Sequence, residues 1–405
     1  MLRDNGLTGM RKTAPGGGCD RLLLFAMLLL VAFGALMIYS STSVVTPLLA
    51  KKNITEFYYF KRHILTVVLG AMAMFFAYSF KSSFYKKAAL PLLAFSFILL
   101  LMVFLPHLGV SAGGARRWIR LWPTTFQPSE LVKLAMVIFL AKYVSSPVYN
   151  TESFVSFVKP LGVMALFQVV FLKQPDFGST MSLAFLTFAM LFVSGMRLRY
   201  IASVLVLALP VVYKLVMEPY RLRRITSFLD PWKDPLASGF QLVQSFISLG
   251  SGGITGLGLG ESRQKLSFLP ASHTDFIFCL VGEELGLIGA TLLIVLFVFL
   301  FWRGTSIADR SKNSFVFYLA YGLTLMISLQ ALINFAVVTG LVPTKGLPLP
   351  FMSYGGSALL VNMAAIGLLL RISKGEEDLP AADSQDNYAR IRAKRNIYAR
   401  KGCLR

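Results

Sequence analysis

Five stretches of this chain stay apolar for close to the thickness of a lipid bilayer, and that feature removes most folds from consideration. Leu22–Tyr39, Leu65–Phe80, Ala88–Leu105, Phe276–Trp302 and Phe315–Val338 each approach or exceed the roughly 18–20 residues that a helix needs to cross hydrocarbon. Backbone polar groups in lipid must satisfy one another, so each run predicts a helix; a membrane barrel would show short alternating strands instead. Composition agrees. Only 15% of the 405 residues are charged and mean hydropathy is +0.66, against about 25% charged residues in a soluble domain.

Weaker runs bring the expected number of spans to ten, at 21–43, 58–80, 86–106, 128–146, 159–172, 177–195, 198–217, 275–302, 314–340 and 353–372. The predicted fold is an all-α polytopic membrane protein. Its membrane domain covers 21–372, a polar, Gly-rich tail covers 1–20, and a charged tail covers 373–405. The first run is too long and too apolar for a signal-peptide core and no clean cleavage site follows, so it is read as a retained helix. The fifth span, of about 14 residues, is short for a full crossing and is expected to tilt or re-enter. Cys19, Cys279 and Cys403 are scattered over tails and span, which leaves no pair for an extracytoplasmic disulfide.

Basic residues near helix ends set orientation. With the N-terminus inside, Lys81, Lys86, Lys87, Arg197, Arg199, Arg303, Arg310 and Lys312 fall in cytoplasmic loops with both tails. An even number of spans returns the C-terminus to the same side. The outer loops are nevertheless basic as well, with Arg116, Arg117, Arg120, Arg221, Arg223 and Arg224 beside Trp118, Trp122 and Tyr220. Guanidinium groups suit bidentate phosphate binding, and Trp and Tyr suit the headgroup layer of membrane lipids. Ordinary lipid anchoring and recognition of a lipid-linked phosphate both fit. Nucleic acid does not, because the basic surface is split between two sides of a membrane.

Carboxylates at span ends mark the candidate chemistry. Glu130 and Lys133 stand three apart on one helical face and can pair. Asp176, before the sixth span, reads as a helix cap. Asp275 lies where the long outer connection 218–274 enters the eighth span, next to His273, and Glu283 and Glu284 follow about 12 Å further in. Intramembrane carboxylates are functional candidates, although interhelical hydrogen bonding explains them equally. Within 218–274, Phe240–Leu249 is amphipathic enough to lie along the outer membrane surface. Gly256, Gly258 and Gly260 imitate a phosphate loop but lack the following Gly-Lys-Ser/Thr. His63, His107 and His273 lack metal-ligand spacing.

The pieces Gly114–Ile119, Phe126–Glu130, Gln174–Gly178, Arg223–Trp232, His273–Phe278, Gly282–Gly286 and Pro350–Ser357 together resemble the SEDS family of bacteria (shape, elongation, division and sporulation proteins). They run in the family's order across 21–372. The Arg-Arg-Trp piece, Arg223–Leu229 and Pro343–Leu347 are most similar to the division branch and leave the sporulation branch open. One departure is Ala271 after Pro270, where relatives often carry an acid.

The resemblance implies a peptidoglycan glycosyltransferase that polymerises lipid II in the cytoplasmic membrane at the division septum. It also implies a class B penicillin-binding protein of the FtsI type, and other division proteins, as partners. Asp275 then matches the family's essential acid and is assigned as general base or metal-assisted orienter, and Glu130 and Lys133 line the same outward cavity. Arg116, Arg117, Arg223, Arg224, His273, Glu283, Glu284 and Ser353 complete the candidate substrate site. A divalent cation, magnesium or manganese, could share the charge, but no ligand set is visible. Two other readings remain: a transporter that flips lipid II, and a non-catalytic division scaffold.

Overall fold

The computed structural model describes residues 18–42, 57–112, 115–121, 124–262 and 274–375. Both distal tails and His273 lie outside them, as do Trp122, Lys51, Lys52, Arg263 and Lys265. The described chain is mostly helical. Helices α1 (Arg21–Thr42), α2 (Phe57–Ser79) and α3 (Ser82–Met102) lead to three short strands, β1 (Gly109–Ala112), β2 (Ala115–Leu121) and β3 (Thr124–Phe126). After them come α4 (Pro128–Val144), α5 (Phe154–Lys173), α6 (Phe177–Val193) and α7 (Leu198–Val216). The long connection then carries α8 (Pro219–Leu229), a 3-10 turn and α9 (Phe240–Ser251), before α10 (Ile277–Arg310), α11 (Ser314–Val338) and α12 (Gly356–Ser373).

Seven of these helices are long and apolar enough to cross a membrane: α1, α2, α3, α5, α10, α11 and α12. Their outward faces are apolar too. Phe75, on α2, is 71% exposed and Val298, on α10, 61%, a placement that fits lipid and not water. Inside, α12 runs along α2, α10 against α11, and α4 against α3 and α11. The two ends of the bundle domain meet, since the Asp20 N–H donates to Ser373 Oγ (2.9 Å) and Asp20 pairs with Arg303.

Two expectations need correction. The fifth span is not short: α5 extends from Phe154 to Lys173, 20 residues. Pro160 cannot donate to the Ser156 carbonyl four residues back, and the Tyr143 hydroxyl does so instead, at 3.0 Å. The stretch after α3 adds a small antiparallel sheet of order β1-β2-β3 to the helical fold. The long connection holds two helices, α8 and α9, the second on the amphipathic stretch Phe240–Leu249. Lastly, α9 packs on α10 with Leu242, Val243, Ser245 and Ser248 buried, so its serine face points into the bundle.

The segment after α9 repairs a break in α10. Gly286 adopts φ 64° and ψ −161°, a region essentially reserved for glycine. There the helix loses its own ladder, and residues 253–258 supply partners. Leu257 and Gly258 N–H donate to the Glu283 and Glu284 carbonyls (both 3.0 Å), while Leu287 and Ile288 N–H donate to the carbonyls of Gly253 (2.9 Å) and Ile254 (3.2 Å). A methyl group on Gly286 would lie 2.4 Å from Gly256 N and 2.5 Å from Ile254 O. Gly286→Ala is therefore expected to destabilise the protein by at least about 2 kcal/mol, read as a lower thermal midpoint in detergent. An unchanged midpoint would refute this account of the break.

Candidate active site

One end of the bundle gathers the sheet, the α5–α6 turn, α8, the start of α10 and the α11–α12 connection. Strand β2 separates its two adjacent arginines because successive side chains leave a strand on opposite faces. Arg116 donates to the carbonyls of Phe104 (3.3 Å) and Pro106 (3.2 Å), tying the sheet to the end of α3. Arg117 turns the other way. Its Nη2 donates to the Pro175 carbonyl (2.8 Å) and its Nη1 stands 3.7 Å from Asp176 Oδ1, while its Nε is buried without an acceptor among the described residues. Asp176 caps α6 as expected, accepting from Ser179 N (3.1 Å) and Ser179 Oγ (2.7 Å).

The pair anticipated on α4 is present and buried. Lys133 Nζ lies 2.8 Å from Glu130 Oε1 and donates to Gln330 Oε1 on α11 (3.0 Å). Gln330 in turn donates to the Pro348 carbonyl (2.8 Å), which fixes the α11–α12 connection over the pair. One turn along α11, Asn334 Nδ2 donates to the backbone carbonyls of both Asp275 (2.8 Å) and Leu347 (2.7 Å). The acid is thus held by its main chain.

Its carboxyl group is not spent on structure. Phe276, not Asp275, is the N-cap of α10, and its side chain makes no capping hydrogen bond. Among the described residues the Asp275 carboxylate has neither an ion pair nor a hydrogen bond. Burial pushes its pKa up to about 6, opposed by the charges of Arg117 and Arg224. Arg224 reaches in from α8, donating to the Thr344 carbonyl at 3.1 Å. A half-buried acid of this kind, near two guanidinium groups and titrating near neutrality, is poised to accept a proton.

Other candidates are engaged elsewhere. Glu284 accepts from Ser40 Oγ at both oxygens (2.6 and 2.8 Å), and Glu283 from Ser262 (2.6 Å) and Ser248 (3.2 Å), so both stitch helices at the α10 break. Ser353 Oγ accepts from Leu349 N (2.8 Å) and closes the turn before α12. Arg223 is exposed on α8.

With this geometry in place, the relatives can be compared. Residues 20–378 match the cell cycle protein family of FtsW, RodA and SpoVE. The chain belongs to this family. It is 41% identical over 358 residues to a probable peptidoglycan glycosyltransferase FtsW of Geobacter sp. (strain M18), covering 88% of this chain and 97% of that one. It is 40% identical over 366 residues to the stage V sporulation protein E of Bacillus subtilis, covering 90% and 98%. A chain of a solved peptidoglycan synthase complex, described as coordinating polymerization and crosslinking, superposes with TM-score 0.73 at 28% identity, over 88% of this chain and 97% of that one. The rod shape determining protein RodA of Thermus thermophilus superposes with TM-score 0.66 at 26% identity, over 89% and 98%.

Sequence reasoning gave no role to Gln330, Asn334 or Lys345. The first two are the amides of the largely apolar run Phe315–Val338, and polar groups at such depth are a signal in themselves. Lys345 stood inside the family-like Pro343–Leu347 run.

Proposed function

We infer that this chain is a peptidoglycan glycosyltransferase that polymerises lipid II at the outer face of the cytoplasmic membrane, in septal wall synthesis. The observation that carries the reading is the Asp275 carboxylate, unspent on capping or pairing and close to cations. Asp275 takes the proton from the 4-hydroxyl of the acceptor sugar as that oxygen attacks the anomeric carbon of the donor. The bond from that carbon to the diphosphate oxygen breaks, and the lipid diphosphate leaves with the electron pair. It departs as an anion and needs positive charge, not a proton, so one base and a cationic wall suffice, unlike ordinary glycoside hydrolysis. Arg117, Arg224 and Lys133 form that wall. Among the described residues no three His, Cys, Asp or Glu side chains converge, but magnesium is commonly held by one or two carboxylates together with substrate phosphates. Asp275 would hold such an ion jointly with the diphosphate, and the ion would share the negative charge of the leaving group.

Both termini are cytoplasmic in this reading. The meeting of α1 and α12 at one end of the bundle supports it, and the membrane is crossed ten times. The partner is a class B penicillin-binding protein that crosslinks the strands, within the division machinery. The discontinuous helix α10 favours a second reading, transport of lipid II, since transporters bind at such breaks; here, however, residues 253–258 fill the break. The purified chain with its partner, given lipid II in detergent where flipping has no meaning, should make glycan strands. No polymer from a folded complex would turn the assignment toward transport or scaffolding.

A further inference from the structure

Lys345 lies in the α11–α12 connection, half-buried, and among the described residues its ammonium has neither an ion pair nor a hydrogen bond. Its surroundings are nonetheless shaped around it. The side chain passes Gly178 so closely that a methyl group there would sit 3.0 Å from Lys345 Cε, and its Nζ stands 5.9 Å from the centre of the Phe177 ring. The next residue, Gly346, lies against the acid: a methyl group on it would be 2.5 Å from Asp275 Oδ2. Residue 344 contributes the carbonyl that accepts from Arg224. Three consecutive residues therefore border Arg224, an unpaired cation and Asp275.

We propose that Lys345 binds the diphosphate of a polyprenyl diphosphate, as a ligand additional to Arg117 and Arg224. The inference rests on the glycosyltransferase reading for its substrate class, while the anion site itself stands on the geometry. A half-buried ammonium with no ion pair or hydrogen bond among the described residues is held at a cost, and an arriving diphosphate reduces that cost. Burial brings the Lys345 pKa down to about 7; Asp176 opposes this and Lys133 adds to it. The groups around it are Lys133 on α4, Asp176 and Phe177 at the α5–α6 turn, Asp275 before α10, and the guanidinium groups of Arg117 and Arg224. A diphosphate brings the opposite charge, so Lys345 takes up a proton on binding when the pH lies above 7.

The test is calorimetric titration of the full chain in detergent with geranylgeranyl diphosphate, with inorganic pyrophosphate, and with phosphatidylglycerol as a lipid phosphate without the diphosphate. Native protein should bind the prenyl diphosphate at pH 8 with net proton uptake. Lys345→Gln should weaken that binding about tenfold and abolish the uptake. Lys345→Arg should restore most of the affinity, and Asp275→Asn should bind undiminished. Equal loss of phosphatidylglycerol binding in Lys345→Gln would overturn the proposal in favour of a general headgroup contact. Undiminished prenyl diphosphate binding by a folded Lys345→Gln would overturn it outright. If the native complex makes no polymer yet binds diphosphate through Lys345, the anion site stands and the glycosyltransferase reading falls. Pyrophosphate bound as tightly as the prenyl compound places recognition in the phosphates, as proposed; no pyrophosphate binding at all counts against it.

Discussion

Asp275→Asn abolishes glycan polymerisation, by about a thousandfold or more in initial rate, without loosening the fold. The rate effect is that expected when a positioned base is lost. The stability half follows from the geometry. Among the described residues Asp275 caps no helix and holds no ion pair, and Asn334 grips it by the main-chain carbonyl, which the substitution keeps. Because burial raises its pKa from 3.8 to about 6, the folded state binds more protons than the unfolded one between those values. Ionisation therefore costs stability as pH rises through that window. A neutral amide removes the cost, so the thermal midpoint of Asp275→Asn at pH 7.5 should equal or exceed that of the native chain. A lower midpoint would mean that the carboxylate is structural after all. The same values shape the rate. Activity should climb as pH rises through about 6, where Asp275 loses its proton. It should fall above 7, where Lys345 loses its own, and bound diphosphate moves this falling limb upward. Lys345→Arg should keep the rising limb and lose the falling one.

Helices were legible because lipid admits little else, and a long apolar run is hard to disguise. What escaped notice obeys other rules. Strand β2 reads Ala-Arg-Arg-Trp-Ile-Arg-Leu, and its inward positions carry Ala115, Arg117 and Ile119. The alternation that betrays a strand is broken by the arginine aimed at the site. The break at Gly286 was hidden inside the apolar run Phe276–Trp302. Its partner segment looks in sequence like a phosphate loop lacking its Lys, whereas Gly253, Gly256, Gly258 and Gly260 all adopt positive φ to let the backbone reach α10. Asp275, Glu130 and Lys133 were found because charge at a span end is rare. Arg116 and Arg117 looked equivalent in sequence, and only the pleat separates them. Lys345 lies in the family-like Pro343–Leu347 run, but sequence does not show its place beside Gly178, 167 positions away, or Gly346 against Asp275.

Breaking the Glu130–Lys133 pair should produce the largest loss of stability among the site residues. Both side chains are almost fully buried, 4% and 5% exposed, and removing one partner leaves the other charge unpaired inside the bundle. Such single removals cost about 3–5 kcal/mol. Lys133→Met also strips Gln330 Oε1 of its donor and so loosens the grip on Pro348. Glu130→Gln keeps the shape and leaves Lys133 with Gln330 alone, so it should cost less. The double variant Glu130→Gln/Lys133→Met removes both charges together and should melt above Lys133→Met alone, an interaction that a double-mutant cycle measures directly. Activity then separates architecture from chemistry. If Lys133 receives charge from the departing diphosphate, the double variant is folded and still inactive, and Lys133→Arg recovers part of the rate. A folded double variant that polymerises lipid II at the native rate would reduce the pair to a strut between α4 and α11.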